Sequence, residues 1–274
     1  MFKNIVDLVK NTNPLVHCIT NYVTVNDCAN ILLACGGSPI MADDTQEVEE
    51  ITSICGGLVL NIGTLNKHTI PAMFLAGKKS NELGHPIILD PVGAGASTLR
   101  TNTAMQLMEE LQLTVIRGNI SEIKTLALGS GTTKGVDADV LDVVNEQNLK
   151  TSVAFAKNFS KESGAIIVIT GAIDIVADSE KAYVIKNGHP VMARITGSGC
   201  MLTAMIGAFV TANQGDVLEA TAAAVSAMGL CGEKAYARSQ VANTGNSTFR
   251  NDLIDEIFKL DGEELDKEAR YEIW

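Results

Sequence analysis

Short aliphatic runs alternate with stretches of helical periodicity along most of the chain. The runs at Leu15–Ile19, Ser38–Met41, Leu58–Ile62, Pro86–Asp90, Thr114–Gly118 and Ala165–Thr170 are apolar at successive positions rather than alternate ones. That pattern predicts strands buried on both faces. Between them, Thr24–Ala34, Gln46–Ile54, His68–Leu83, Thr98–Leu111, Ser121–Leu128 and Thr151–Ser163 carry apolar residues at helical spacing. Strand, helix, strand at such intervals implies right-handed crossovers, and hence an α/β fold: a mainly parallel central sheet with helices on both faces. Gly36, Gly37, Gly56, Gly57, Gly84 and Gly164 stand at the joints, where helices are expected to stop.

After Thr170 the rhythm changes. Ile173–Ala177 and Ala182–Ile185, joined by Asp178-Ser179-Glu180-Lys181, predict an antiparallel hairpin at the sheet edge. A strand-like lead, Val191–Ala193, precedes the glycine-rich Thr196-Gly197-Ser198-Gly199-Cys200. Ala-rich helical stretches follow at Cys200–Thr211, Val217–Lys234 and Thr248–Leu260, and the charged final residues, from Asp261 onward, are expected to be peripheral. No linker, repeat or low-complexity tract divides residues 1–274, which are therefore expected to form one domain.

Composition sharpens this picture in two places. Hydrophobic residues make up 46% but aromatics only 4%, the mix that suits aliphatic strands in a large covered core. The net charge of −11 leaves no basic footprint for nucleic acid or an anionic membrane surface. An anionic substrate must then be met locally, by backbone N–H groups, a metal ion and a few placed cations. No run approaches the ~18 apolar residues of a membrane span, and the charged start of the chain is unlike a signal peptide, so the cytoplasm is the expected compartment. Six cysteines show no CxxC pair and no zinc spacing, and Cys18, Cys28, Cys35, Cys55 and Cys231 are expected to be buried apolar residues.

Candidate chemistry collects at strand ends. Gly197-Ser198-Gly199-Cys200 opens an apolar helix, where free N–H groups and the helix dipole favour a phosphoryl group. Asp90 closes one strand and is placed to hold Mg²⁺. Arg117 closes the next and suits phosphate, with Asn119 and Glu122 one turn apart behind it. Thr170-Gly171 closes another. Each has a plainer explanation: an ordinary helix start, a loop aspartate, a capping box, a simple turn. Their joint placement at the ends of successive strands favours a common site. Gly129 to Gly135 imitates a Walker A loop, but threonine precedes Lys134 and glycine follows it. His17, inside a strand, is expected to be a satisfied core residue. A kinase for some small alcohol, an ATP-consuming dehydratase and a nucleotide-binding module all remain open on these residues alone.

The glycine-rich loop opening a late helix and Asn119-Ile120-Ser121-Glu122 resemble the ribokinase-like kinases. The run from Pro14 to Asn26, Ala29-Asn30, the Gly37 to Ala42 segment and Asp90-Pro91-Val92-Gly93-Ala94-Gly95 resemble more narrowly the hydroxyethylthiazole kinases of thiamine salvage. The resemblance implies ATP as co-substrate, Mg²⁺, and a thiazole alcohol as acceptor. It also implies contacts of Met41 and Gly197 with the alcohol, of Arg117 and Thr170 with ATP, and of Asp90 and Glu122 with Mg²⁺. Where related kinases carry an aspartate base, this chain has Cys200, as the thiazole kinases do. A thiol at a helix N-terminus can ionise more easily than usual and accept a proton. Phosphoryl transfer asks more for positioning and charge stabilisation, so Cys200 is expected to be a catalytic residue beside the substrate with a modest share in the reaction. The family resemblance further implies a homotrimer with sites at subunit junctions.

Overall fold

The aliphatic runs become strands because successive side chains enter different halves of the core. In β1 (Leu15–Ile19), Val16 and Cys18 join one apolar cluster while Ile19 joins the other; in β3 (Gly57–Asn61), Val59 faces the first and Leu58 and Leu60 the second. Each such aliphatic side chain contributes roughly 1.5–3 kcal/mol when fully buried. The same division holds in β4 (Ile87–Asp90), β5 (Val115–Asn119) and β6 (Ile166–Thr170). Here the protein is a computed structural model, which describes residues 2–129 and 143–274. All of the Lys134 loop after Gly129 lies outside the described residues.

These strands belong to a nine-stranded sheet of order β2-β1-β3-β4-β5-β6-β7-β8-β9. Strands from β2 (Ser38–Ile40) through β6 pair in parallel; β7 (Asp174–Ala177), β8 (Ala182–Ile185) and β9 (Tyr271–Ile273) pair antiparallel. One face carries α1 (Phe2–Thr12), α2 (Val25–Cys35), α8 (Ser198–Ala212), α9 (Val217–Ala242), α10 (Asn246–Lys259) and α11 (Gly262–Glu268). The other carries α3 (Val48–Ile54), α4 (Thr69–Leu83), α5 (Thr98–Glu110), α6 (Ile120–Gly129) and α7 (Leu149–Ser163). Among the described residues no helix is long and apolar enough to cross a membrane.

The expected strands, hairpin and helices are present, with four differences. Phe2, Ile5, Val6 and Val9 bury one face of α1, a helix the strand-centred reading passed over. Gly36, Gly84 and Gly164 cap helices in the left-handed conformation, but Gly57 instead begins β3, where a side chain would run into Thr211 of α8. Val191–Ala193 is not strand: Pro190–Arg194 forms a 3₁₀ turn, with Pro190 in its first positions and His189 capping it. The charged C-terminal segment is not peripheral, since its last residues form β9 and extend the sheet along β8.

Candidate active site

The order β2-β1-β3 places the reversal of winding between β1 and β3, and an open α/β sheet binds ligands in the crevice beyond the strand ends at such a point. Asn21 follows β1, Asn61 ends β3, Asp90 ends β4, Arg117 and Asn119 lie in the last three residues of β5, and Thr170 ends β6. The first turn of α8 descends onto this row. Gly197, its N-cap, has φ +84°, and a Cβ there would come within 2.5 Å of the Thr24 methyl. A Cβ on Gly199 would meet the Arg117 guanidinium at 2.4 Å. Glycine at these two positions lets the helix start close over the strand ends.

Asp90 is fully buried beneath the helix. Its Oδ2 accepts hydrogen bonds from Asn61 Nδ2 and Thr203 Oγ1, both at 2.8 Å, with Arg117 Nη1 3.7 Å away. Its Oδ1 has no partner among the described residues. Burial pushes the carboxyl up to about 6, against the pull of Arg117 and the two donors, while Glu122 nearby pushes the same way. Asn61 also donates to Cys200 Sγ at 3.3 Å, as does Asn21, and Asn21 donates to Asn61 Oδ1 at 3.0 Å. The Asn21 side-chain Oδ1 in turn accepts from the backbone N–H and hydroxyl of Thr24. Both amides are therefore held with their donors aimed at the sulfur.

Cys200 alone among the six cysteines is not fully buried. The expectation of an easily ionised thiol does not hold. Burial, then the charge of Asp90, raise its pKa, and together they outweigh the hydrogen bonds from Thr24, Asn21 and Asn61. His17 is the satisfied core histidine expected of it, with Nδ1 2.9 Å from Thr52 Oγ1 and Nε2 2.8 Å from the Ala42 carbonyl, and burial lowers its pKa.

Arg117 and Thr170 meet directly: Nη2 donates to Thr170 Oγ1 at 2.6 Å. Both line a cleft of about 500 Å³ that runs from Gly199 past Asp174 and His189 to Met228 on α9. Asp174 accepts the Gly171 N–H at 2.8 Å, and burial pushes its carboxyl up to about 7 despite that bond and Arg117. Glu122 is tied into the backbone. Its Oε2 accepts the Asn119 N–H at 2.8 Å while Asn119 Oδ1 accepts the Glu122 N–H at 2.9 Å, a reciprocal capping box. Its Oε1 accepts the Gly93 N–H at 2.8 Å, so this side chain also holds the loop after Asp90. Met41 follows β2 at the sheet edge, half-buried against the apolar cluster on which Cys200 also packs.

Five of the seven predicted residues (Asp90, Arg117, Thr170, Gly197 and Cys200) thus gather around one helix start, Glu122 braces the adjoining loop, and Met41 follows the edge strand β2. The reading from sequence missed Asn61, Thr203 and Asp174. Asn61 was findable, since it ends a buried strand in the manner of Asp90; Thr203 became visible only once α8 was laid over β4. As to a metal, no cluster of three or more His, Cys, Asp or Glu suited to one occurs among the described residues. A buried carboxylate with one oxygen lacking a partner, and a second acid close by, nevertheless fits Mg²⁺, which takes one or two protein carboxylates and completes its shell with water and phosphate.

Comparison with known proteins places these residues in context. The model of the hydroxyethylthiazole kinase family matches residues 6–263. The hydroxyethylthiazole kinase of Clostridium acetobutylicum is 64% identical over 272 residues, covering 99% of each chain. Among solved structures, hydroxyethylthiazole kinase from Pyrococcus horikoshii superimposes with a TM-score of 0.89 at 33% identity, covering 100% of this chain and 98% of that one. An ADP complex of Bacillus subtilis pyridoxal kinase shares the fold at a TM-score of 0.54 and 19% identity, covering 78% of this chain and 90% of its own.

Proposed function

Because the chain belongs to the hydroxyethylthiazole kinase family, we propose that the cluster under α8 is where it transfers a phosphoryl group from ATP to its alcohol. The enzyme is a kinase of thiamine salvage, and its acceptor is the hydroxyl of 4-methyl-5-(2-hydroxyethyl)thiazole. The observation that carries the site assignment is the convergence of Asp90, Asn61, Cys200, Gly199, Arg117 and Thr170 on a single helix N-terminus.

In this reading the triphosphate lies along the cleft and its terminal phosphoryl group faces the first turn of α8. Arg117, held by Thr170 and flanked by Asp90, donates to the phosphate oxygens. The N–H groups that follow Gly197 meet the charge that spreads over the transferring group. The alcohol hydroxyl sits beside Cys200 Sγ and Gly197, with Asn21 and Asn61 fixing the sulfur. Its oxygen forms the new bond to phosphorus as the bond to the departing diphosphate oxygen breaks, and its proton passes to an oxygen of the transferred phosphoryl group. The raised pKa keeps Cys200 a neutral thiol with no free thiolate to take a proton, so its service is to orient the hydroxyl; the transfer itself asks mainly for alignment and charge stabilisation. Asp90, with Glu122 close by, would hold Mg²⁺, which would supply neutralisation of phosphate charge when bound. Glu122 also keeps the loop at Gly93 in register with the Asn119 turn.

We further take residues 1–274 as one kinase domain and the working form as a trimer. Tyr22 and Val23 are 76% and 56% exposed, although they lie between the site residues Asn21 and Thr24. An apolar pair left open beside the site suits a neighbouring copy that covers it, with Met41 in contact with the alcohol. Turnover of ATP across thiazole, pyrimidine and sugar alcohols tests the assignment. The thiazole alcohol is expected to be used best, and Asp90→Ala to abolish its turnover. Near-normal turnover by a folded Asp90→Ala variant at saturating Mg²⁺ would remove this cluster from the mechanism.

A further inference from the structure

The far end of the cleft is formed by the connection from β8 to α8, and that connection is held from two sides. On one side it presses against α9. A Cβ on Gly229 would lie 2.5 Å from the Asn187 carbonyl oxygen, and one on Gly232 would lie 2.4 Å from Met192 Sδ. His189 stacks on Tyr236 of the same helix, with ring centroids 3.6 Å apart and planes 17° from parallel. Asn187, His189 and Met192 all face the cleft.

On the other side stands the C-terminal segment. Arg270 donates through Nη2 at 2.5 Å and Nη1 at 3.0 Å to the two carboxylate oxygens of Glu233, and through Nη2 at 2.9 Å to the Lys186 carbonyl. Glu233 Oε1 also accepts the Gly188 N–H at 2.6 Å. The Arg270 backbone N–H donates at 2.6 Å to Oδ1 of Asn187, whose side-chain amide reaches the Glu268 carbonyl at 3.4 Å. Asn187 is buried, with 4% of its surface exposed. A bidentate arginine–carboxylate pair thus links α9, the residue just before β9 and the backbone of the cleft rim.

We infer that this Glu233–Arg270 clasp positions the nucleotide end of the cleft, fixing Gly188 and His189 where the base of a nucleoside triphosphate would lie, so that the C-terminal segment sets nucleotide affinity without touching the reacting atoms. The inference rests on the proposed reading that ATP occupies the cleft. Stability is not the main service of the pair, since Arg270 is 55% exposed and ion pairs in contact with water contribute little. The β8–β9 ladder, closed by Lys186 N–H to the Arg270 carbonyl, already ties the segment down. What the clasp adds is an acceptor for Gly188 and a fixed path from Lys186 to His189. None of this reaches Asn21, Asn61 or Cys200, so the alcohol side is unaffected.

The test compares Glu233→Ala, Arg270→Ala and Arg270→Lys with the parent enzyme. KM is measured separately for ATP and for the thiazole alcohol, together with ADP affinity by calorimetry in the absence of alcohol. Glu233→Ala, which removes both acceptors, is expected to raise KM for ATP about tenfold and to weaken ADP by a similar factor, because misplacing a positioning group costs affinity and rate. Arg270→Ala should fall between it and the parent, and Arg270→Lys should recover part of the loss. KM for the alcohol and Tm should stay near the parent's. An unchanged ADP affinity in Glu233→Ala, or equal shifts in both KM values, would overturn the inference. Met228→Trp separates this from failure of the underlying reading. If filling the cleft at Met228 leaves ATP use intact, the nucleotide does not bind there and both fall. If Met228→Trp impairs ATP use while Glu233→Ala does not, the clasp alone falls.

Discussion

The Cys200 thiol lies between two amide donors and a carboxyl whose charge opposes its ionisation. A serine hydroxyl can accept from both amides, so Cys200→Ser should be only moderately impaired, its kcat lowered by no more than about 10²-fold, the least that loss of a true general base would cost. An aspartate there also accepts both amide hydrogens, and Cys200→Asp should retain kcat within about tenfold of the parent although it adds charge beside Asp90. Rates measured across pH for the folded variants decide this: a dead Asp variant with a Ser variant reduced beyond ~10⁴ would make the thiol indispensable. Asp174 carries a second consequence. Its folded carboxyl titrates at about 7 rather than the ordinary 3.8, so between these values the folded protein keeps a proton that the unfolded chain releases. Stability is therefore lost as pH rises through that window. Asp174→Asn keeps an acceptor for Gly171 N–H and removes the buried charge. Its Tm should match the parent's near pH 4 and exceed it at pH 8, where its unfolding free energy should be larger by on the order of 2 kcal/mol once partial exposure is allowed for; a constant difference across pH would refute the argument.

At the scale of elements, the strands were legible because two helical layers demand apolar side chains on both faces of β1 and β3 through β6. The terminal elements were not. Three residues, Tyr271–Ile273, make too short a pattern to announce β9, and only pairing with β8 makes them a strand. The 3₁₀ turn at Pro190–Arg194 likewise follows from its seat against α9 rather than from its valine. The start of α8 separates folding from chemistry. Gly199 lies within the helix, where alanine is favoured by about 0.5–1 kcal/mol, yet its Cβ would displace the tip of Arg117. Gly199→Ala should therefore hold or raise Tm while KM for ATP rises about tenfold or more through the misplaced guanidinium. A stable variant with unchanged kinetics would show that Arg117 has no phosphate to meet.

For the whole molecule, the expected assembly makes the exposed Tyr22 and Val23 a measurable feature. Light scattering should give a trimer for the parent. Tyr22→Asp combined with Val23→Asp should dissociate it, since two carboxylates cannot be buried without partners. The same variant should lose at least about tenfold in kcat/KM if the junction completes the pocket. A monomeric parent with full activity would end the trimer proposal.

The sequence by itself determined the class of fold and most of the chemistry-bearing residues. Hydrophobic periodicity reports which faces are buried, and Asp90, Arg117 and Thr170 stand at the ends of runs that can only be strands. The N-terminal run from Pro14 to Asn26 carried the family resemblance, which the match over residues 6–263 bears out. Only the tertiary structure decided how those ends meet. Strand order is not written in any local pattern, so the reversal between β1 and β3 that sets Asn21 beside Asn61 was invisible along the chain. The state of Cys200 was equally hidden: a helix start favours a thiolate, but burial and the charge of Asp90, 110 positions away in sequence, outweigh it. Desolvation and charge depend on what surrounds a group in space, and a one-dimensional pattern does not contain that.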